Sequence, residues 1–378
     1  MSNQTIKVEI QREFNLDILA RQWQTLEQVS THRFFLSWHW ISAWLKTFPI
    51  SPILIRAFKG EQTLGLGFLC EKSFRRNRFF SIKQILLNEA GIGNYDQQWI
   101  EYNDFLVHDS FRDDTLSTML NAIHNELNWN EFALGVSDSA TVMKWQKVLG
   151  LQPYVTWKTR AHHLDLSALR HSQNDYLASL SKNSRSQIRR SINFYKKRGD
   201  LRIKHASTVN DALAMFDKIA PLHIERWGEG YQESGFANPH FVNFHKLIIR
   251  ESFESGNVDV IQVSVNEDAI AYFYNFIYQQ RVYFYLSALQ YESDNKAKPG
   301  LVGHALCIQE YLDNGMQSYD FMGGGEKYKD SLSTCHDQFY RVSFQRPTVA
   351  LKLESSLRKL KNRIKNHQSL SFDAPESD

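Results

Sequence analysis

VDVIQVSV (258–265), AIAYFYNFIYQQ (269–280), RVYFYLSALQ (281–290), KAKPGLVGHALCIQEYLDNG (296–315) and QSYDFMGGGEKYK (317–329) decide the fold. The first three are β-branched and aromatic runs with period-2 alternation, separated by short polar breaks, and predict strands. Pro299-Gly300 marks a loop. Leu301, Ala305, Leu306, Ile308 and Leu312 then recur at helical spacing until Asn314-Gly315 stops the helix. SYDFM predicts a fourth strand. A strand that leads into a glycine-bearing helix N-terminus suits phosphate, because unpaired N–H groups and the helix dipole converge there. This stretch is expected to hold the functional centre.

Upstream, NDYLASLSKNSRSQIRRSINFYKKRG predicts one long helix ending at Gly199, after a connector over 160–172. LRIKHAS is a strand. VNDALAMFDKIAPLHIERWG is a helix broken by Pro221, and HFVNFHKLIIRESFESG is another helix. Downstream come a short helix (EKYKDSL), a strand (FYRVSF) and an edge (TVAL). The first half runs in a similar order. LDILARQWQTLEQ and SWHWISAWLKTF are helical, with Trp38, Trp40 and Trp44 either packing under a sheet or walling a ligand. PILIRAFKGEQTLGLGFLCEKSF is a hairpin turning at Lys59-Gly60, and QILLN and DFLVH are strands around the Gly/Asn-rich loop NEAGIGNYDQQW. The division expected is residues 1–160, residues 161–350, and a basic amphipathic helix with a disordered tail over 351–378. Leu353, Leu357, Leu360 and Ile364 share one face of that helix, which suits an anionic membrane surface or packing against the body.

The 378 residues carry a net charge of +3 and are 42% hydrophobic, the composition of a globular chain with a sizeable core. Cys70, Cys307 and Cys335 lie far apart with no histidine at zinc spacing, so three reduced, buried thiols and no metal are expected. No apolar leader or spanning segment is visible, so a cytoplasmic chain is expected, at most peripheral to the inner membrane face. GxSxG, Walker, HExxH and GxGxxG motifs are all lacking, which argues against hydrolase, NTPase, metalloprotease and dinucleotide chemistry.

SRSQIRRSINFYKKRG, PLHIERWGEGYQESGF, RVYFYLSALQYES…KPG and YDFMGGGEKYK follow one another. Their order, and the β-α-α-β-β-β-α-β-α-β succession around them, resembles the GNAT-superfamily acyltransferases. The resemblance spans about residues 170–335 and is to the CelD-like, cellulose-biosynthesis-associated type, which is similar to the FemAB-type aminoacyl transferases. It implies an α/β (α+β) fold, with a mixed central sheet flanked by helices and two GNAT-like lobes. It also implies acyl transfer from acetyl-CoA or a longer acyl-CoA, or from aminoacyl-tRNA in the Fem branch. The acceptor would be an amine or hydroxyl of a small molecule or of a glycan- or lipid-linked envelope precursor. A GNAT-like module that only binds its ligands is the reading from another class.

On that resemblance, Lys296, Lys298, Gly300 and Gly303 hold the donor's pyrophosphate, although KAKPGLVG departs from the family's Q/R-x-x-G-x-G/A spacing. Tyr285, Leu286, Ser287 and Ala288 match the strand whose splaying exposes a backbone N–H; Ser287 equally suits packing beneath a helix. Tyr328 stands where a GNAT tyrosine protonates the leaving thiolate, and Lys329 where a Fem lysine is linked to catalysis. Asp320 is an acceptor base or a loop cap. From residue chemistry, His223 and Glu225 could take the acceptor's proton. Arg226, Trp227 and Glu326 suit acceptor binding. Arg189 and Arg190 belong to a segment with nine Lys/Arg and one acid between Lys182 and Lys204, which suits phosphates or a solvated face.

Overall fold

The first half of the computed structural model opens on β1 (Lys7–Gln11), α1 (Leu16–Glu27), α2 (Trp38–Thr47), β2 (Ile53–Lys59), β3 (Gln62–Arg76) and β4 (Phe80–Leu87). It continues with β5 (Leu106–Val107), α3 (Arg112–Glu126), β6 (Glu131–Asp138), α4 (Ser139–Leu149) and β7 (Pro153–Asp165). Residues 5–347 are described, apart from 77–79, 173–174 and 231–232. Local chemistry sets the boundaries. The Asn15 side chain accepts from Asp17 N and Ile18 N to cap α1, and Gly150 at φ +64° closes α4.

The second half follows α5 (Leu166–His171), α6 (Tyr176–Ser179) and α7 (Lys182–Lys196). It comprises β8 (Leu201–His205), α8 (Val209–Trp227), α9 (Pro239–Ser252), β9 (Val258–Val265), β10 (Asp268–Tyr278) and β11 (Arg281–Leu289). It ends in α10 (Pro299–Asp313), β12 (Ser318–Gly323), α11 (Lys327–Leu332) and β13 (Cys335–Gln345). Apart from the short β5, both halves run strand, two helices, three strands, helix, strand, helix, strand.

One mixed sheet joins them, in the order β1-β2-β3-β4-β6-β13-β7-β12-β11-β10-β9-β8. The final strand of each half crosses over: β13 lies between β6 and β7, and β7 lies between β13 and β12. Residue 160, the proposed dividing point, is therefore inside β7. Helices α1, α2, α8 and α9 share one core with one sheet face, where Trp40 packs edge-on to Phe244 at 4.9 Å and to Phe276 at 5.8 Å. Trp40 and Trp44 are buried core residues rather than ligand walls. A second core forms under α7 and α10, and a third under α3 and α4.

The structure corrects several sequence expectations. The long helix is broken, because Leu180 is extended (ψ 162°) and Ser181 caps a new helix, α7, which ends at Lys196 rather than Gly199. The expected connector begins as strand, since β7 continues to Asp165 through pairing with β12. Helix α8 runs through Pro221 to Trp227. Cys70 and Cys307 are buried, but Cys335 is exposed. The expected edge TVAL and tail helix lie outside the described residues. Among those described, no helix is long and apolar enough to cross a membrane, and no group of three or more metal-ligating side chains forms.

Outside the lining of the cleft described below, His205 Nδ1 sits 2.9 Å from Asp259 and its Nε2 lies 3.1 Å from Glu310. Although burial opposes it, these carboxylates raise the imidazole pKa to about 9. A raised folded-state pKa stabilises fully below the unfolded value near 6.5 and ceases to do so as pH rises through 9. Wild type should lose about 1–2 kcal/mol across that window, after allowance for solvent screening. His205→Gln should flatten the curve in urea titrations at successive pH values; an unchanged slope removes the cluster from the account.

Candidate active site

Strands β11 and β12 pair in parallel only from Arg281/Ser318 to Tyr283/Asp320, then part. At the parting, the β10–β11 register slips: Asn275 faces Phe284, but Tyr274 faces Leu286, leaving Tyr285 in a bulge. The β12-facing edge of β11 beyond Phe284 is thus open. It lines a cleft of about 620 Å³ together with the α8 C-terminus, the loop after β11, the start of α10 and the turn before α11.

At one end, Lys298 stands at the N-cap of α10 without a side-chain cap hydrogen bond, and Pro299 and Gly300 open the helix. The first intrahelical bond runs from Val302 N to Lys298 O, so the earlier N–H groups point out of the helix. Lys298 also borders a smaller hollow of about 240 Å³ with Gln187, Arg190, Asn295 and Lys296. Three cations beside a helix N-terminus give this end the charge and donors that suit an anion. Gly303 does not line the cleft. It faces the sheet, where an added β-carbon would meet Phe273 Cε2 at 2.2 Å. Arg189 lies outside both hollows.

At the other end, Tyr328 stacks on His304 at 5.4 Å and borders the cleft. Burial, helped by the Glu326 and Tyr291 charges, pushes its hydroxyl pKa up, so it stays protonated. The buried Lys329 also borders the cleft, and its Nζ donates to Gly323 O at 2.7 Å and pairs with Glu326 at 3.2 Å. His304 is buried and hydrogen-bonds the Tyr319 hydroxyl through Nδ1 at 3.1 Å. Desolvation, then the Lys329 charge, lowers its pKa to about 3.

On the α8 wall, His223 and Arg226 face the cleft, whereas Glu225 is exposed and does not line it. Burial lowers the His223 pKa to about 4, leaving a weak base at neutral pH. The Arg226 guanidinium lies between the exposed rings of Trp227 (5.5 Å) and Tyr291 (5.4 Å), bridging the mouth. Asp320 is not on the cleft. It is buried, accepts from the Tyr102 hydroxyl and from Met322 N (2.7 Å), and so acts as a seam group, the cap alternative of the sequence reading.

The sequence reading missed three residues at this centre. His304 was hidden in a helix pattern that only needed it to be buried. Glu101 and Tyr102 come from the other half, and nothing in QQWIEYND announces their destination. Glu101 accepts from Gly323 N at 2.9 Å and from Trp99 Nε1 at 3.1 Å; burial raises its pKa to about 7.

Residues 182–330 match the family model described as an acetyltransferase (GNAT) domain. No curated protein matches the chain in sequence. Among solved structures, FemX is similar at 12% identity and TM-score 0.55, covering 88% of this chain and 96% of its own. L-PGS from Bacillus licheniformis is similar at 10% identity and TM-score 0.54, covering 93% and 98%. The C-terminal domain of a putative lysylphosphatidylglycerol synthetase from Agrobacterium fabrum is similar at 8% identity and TM-score 0.51, covering 89% and 95%. At these identities the likeness is one of fold. The parted strands and the cleft they carry both lie within the residues that match the acetyltransferase (GNAT) domain model.

Proposed function

We propose that the protein is an acyl-CoA-dependent N- or O-acyltransferase acting on a cell-envelope, polysaccharide or lipid precursor. One observation carries the reading. The cleft runs from a cationic helix N-terminus to a protonated tyrosine along an unpaired strand edge. The residues fit acyl-CoA. Arg190, Lys296, Lys298 and the α10 N-terminus would hold its phosphates, and the apolar stretch of β11 its pantetheine arm. The group supplies an acyl carbon activated as a thioester.

The chain does the rest. An N–H on the open edge of β11 at Tyr285–Ser287 stabilises the developing oxyanion, because a donor already fixed in place needs no reorganisation. Tyr328 is a general acid for the departing sulfur, because its hydroxyl is protonated at neutral pH and borders the cleft where the thiolate forms. Lys329, held under the turn by Gly323 O, adds positive charge beside the reacting atoms. Arg226, Trp227 and Glu326 meet the acceptor at the mouth. His223, with its lowered pKa, serves as a neutral hydrogen-bonding partner there rather than as the base for an ammonium.

A second reading, transfer from aminoacyl-tRNA, is favoured by the basic face of α7, where Lys182, Arg189 and Arg190 are exposed and Arg190 borders the smaller hollow. Thermal shift distinguishes the two. Acetyl-CoA should raise Tm by about 3–5 °C. Gly300→Glu should abolish the shift by placing a carboxylate at the helix N-terminus, and Lys298→Ala should weaken binding about tenfold. A shift with uncharged tRNA and none with any CoA ester overturns the first reading.

A further inference from the structure

The end of β12 is a strained segment gripped from the other half of the molecule. Its pairing with β7 slips between Asp320 and Met322. Met322, which is not glycine, sits at φ +61°, and Gly324 lies at φ +144°. Such backbone persists only where its surroundings over-determine it. Here they do. Lys329 Nζ donates to Gly323 O, while the Gly323 N–H is given to Glu101. The next residue of the first half, Tyr102, donates to Asp320, which in turn accepts from Met322 N. The gripping segment is itself unusual, with Trp99 at φ +51° and Tyr102 at φ +53°. Glu101 is 1% exposed, although an unstrained surface loop would leave a glutamate in water. Gly323 lines the cleft, and the chain reaches Tyr328 and Lys329 five and six residues later.

We propose that Glu101 is a positioning residue for acyl transfer: its carboxylate fixes the Gly323 peptide, and thereby the Gly323–Lys329 turn that presents Tyr328 and Lys329 to the cleft. The first half then completes the active centre of the second. The proposal rests on the acyltransfer reading of that cleft. The groups facing Glu101 are Asp320 on β12, Lys329 on α11, the Tyr285 hydroxyl on β11 and its neighbour Tyr102. Desolvation and Asp320 oppose its ionisation, while Lys329 and the Gly323 N–H favour it, so its charge forms near neutrality. Because the folded-state pKa is raised, the ionised carboxylate costs stability as pH climbs from 4.5 towards 7.

Two measurements on the full chain test this, with Glu101→Gln and Glu101→Ala beside wild type. Amide hydrogen exchange over residues 321–329 reads the grip without turnover. Thiol release from acetyl-CoA between pH 6 and 8.5, against a panel of amino and neutral sugars, reads the chemistry. Glu101→Ala should exchange about tenfold faster there and lose about 100-fold in kcat, with the acetyl-CoA KM nearly unchanged. Glu101→Gln keeps an acceptor oxygen for Gly323 but no charge. It should stay protected, melt no earlier than wild type at pH 8, lose about tenfold in kcat, and lack the acid limb expected of wild type near pH 7. Unchanged exchange in Glu101→Ala overturns the proposal whatever the activity. So does turnover in Glu101→Ala within threefold of wild type. If wild type releases no thiol from any CoA ester, the acyl-CoA reading fails instead, and exchange alone decides the grip.

Discussion

Tyr328→Phe should lower kcat for thiol release from acetyl-CoA by about 10²–10³-fold and leave donor affinity within about twofold. The substitution removes one oxygen. The ring still stacks on His304 and still walls the cleft, so donor binding has nothing to lose. What disappears is a proton source. A thiolate is a poor leaving group in a desolvated cleft unless it is neutralised as it leaves, and the raised hydroxyl pKa means the proton is present at any physiological pH. Isothermal titration with CoA and single-turnover assays separate the two quantities. If Tyr328→Phe keeps turnover within threefold, some other group protonates the sulfur, and Tyr328 reduces to a wall.

Gly303→Leu should cost about 3 kcal/mol or more of folding stability, seen as a fall in the urea midpoint with no change of slope. Even one added carbon would overlap the Phe273 ring, with contacts of 2.2 Å to Cε2 and 2.4 Å to Cζ. That ring cannot step aside. It is fully buried, with His304 at 5.0 Å and Phe284 at 6.0 Å. Helix α10 must instead lift from the sheet, moving His304 and the cleft floor with it. Phe273→Ala in the same chain should recover a good part of the loss, because it empties the space the leucine needs. A purely additive double mutant would mean the clash is relieved elsewhere.

The two glycines of PGLVG illustrate how much could be read from the chain beforehand. Both stood out in the sequence as candidates for close approach to a donor. Gly300 does stand at the cleft, but Gly303 serves a ring on the neighbouring strand, a distinction that depends on helix phase and is invisible in a motif. Succession of elements was legible because it follows from periodicity and punctuation that every segment carries locally. The parting of β11 from β12 could be placed only by resemblance, since a bulge at Tyr285 leaves no trace in RVYFYLSAL. Glu225 and His223 are adjacent in chemistry but not in role, because helix α8 turns one outwards and desolvates the other. Least legible was the share of the first half in the active centre. Glu101 and Tyr102 lie more than two hundred residues from Gly323 and Asp320, and no local pattern encodes so distant a hydrogen bond.

The crossing of β7 and β13 bears on how the protein is made. A ribosome delivers the first half long before β13, so the edge of β6 that β13 will cover emerges unpaired and stays so until almost the whole described chain exists. Open strand edges recruit other strands. The last pairing to form closes both halves at once, and until then neither has its final neighbour. Birth of this sheet therefore carries a waiting period, during which a second nascent copy offers the same missing strand.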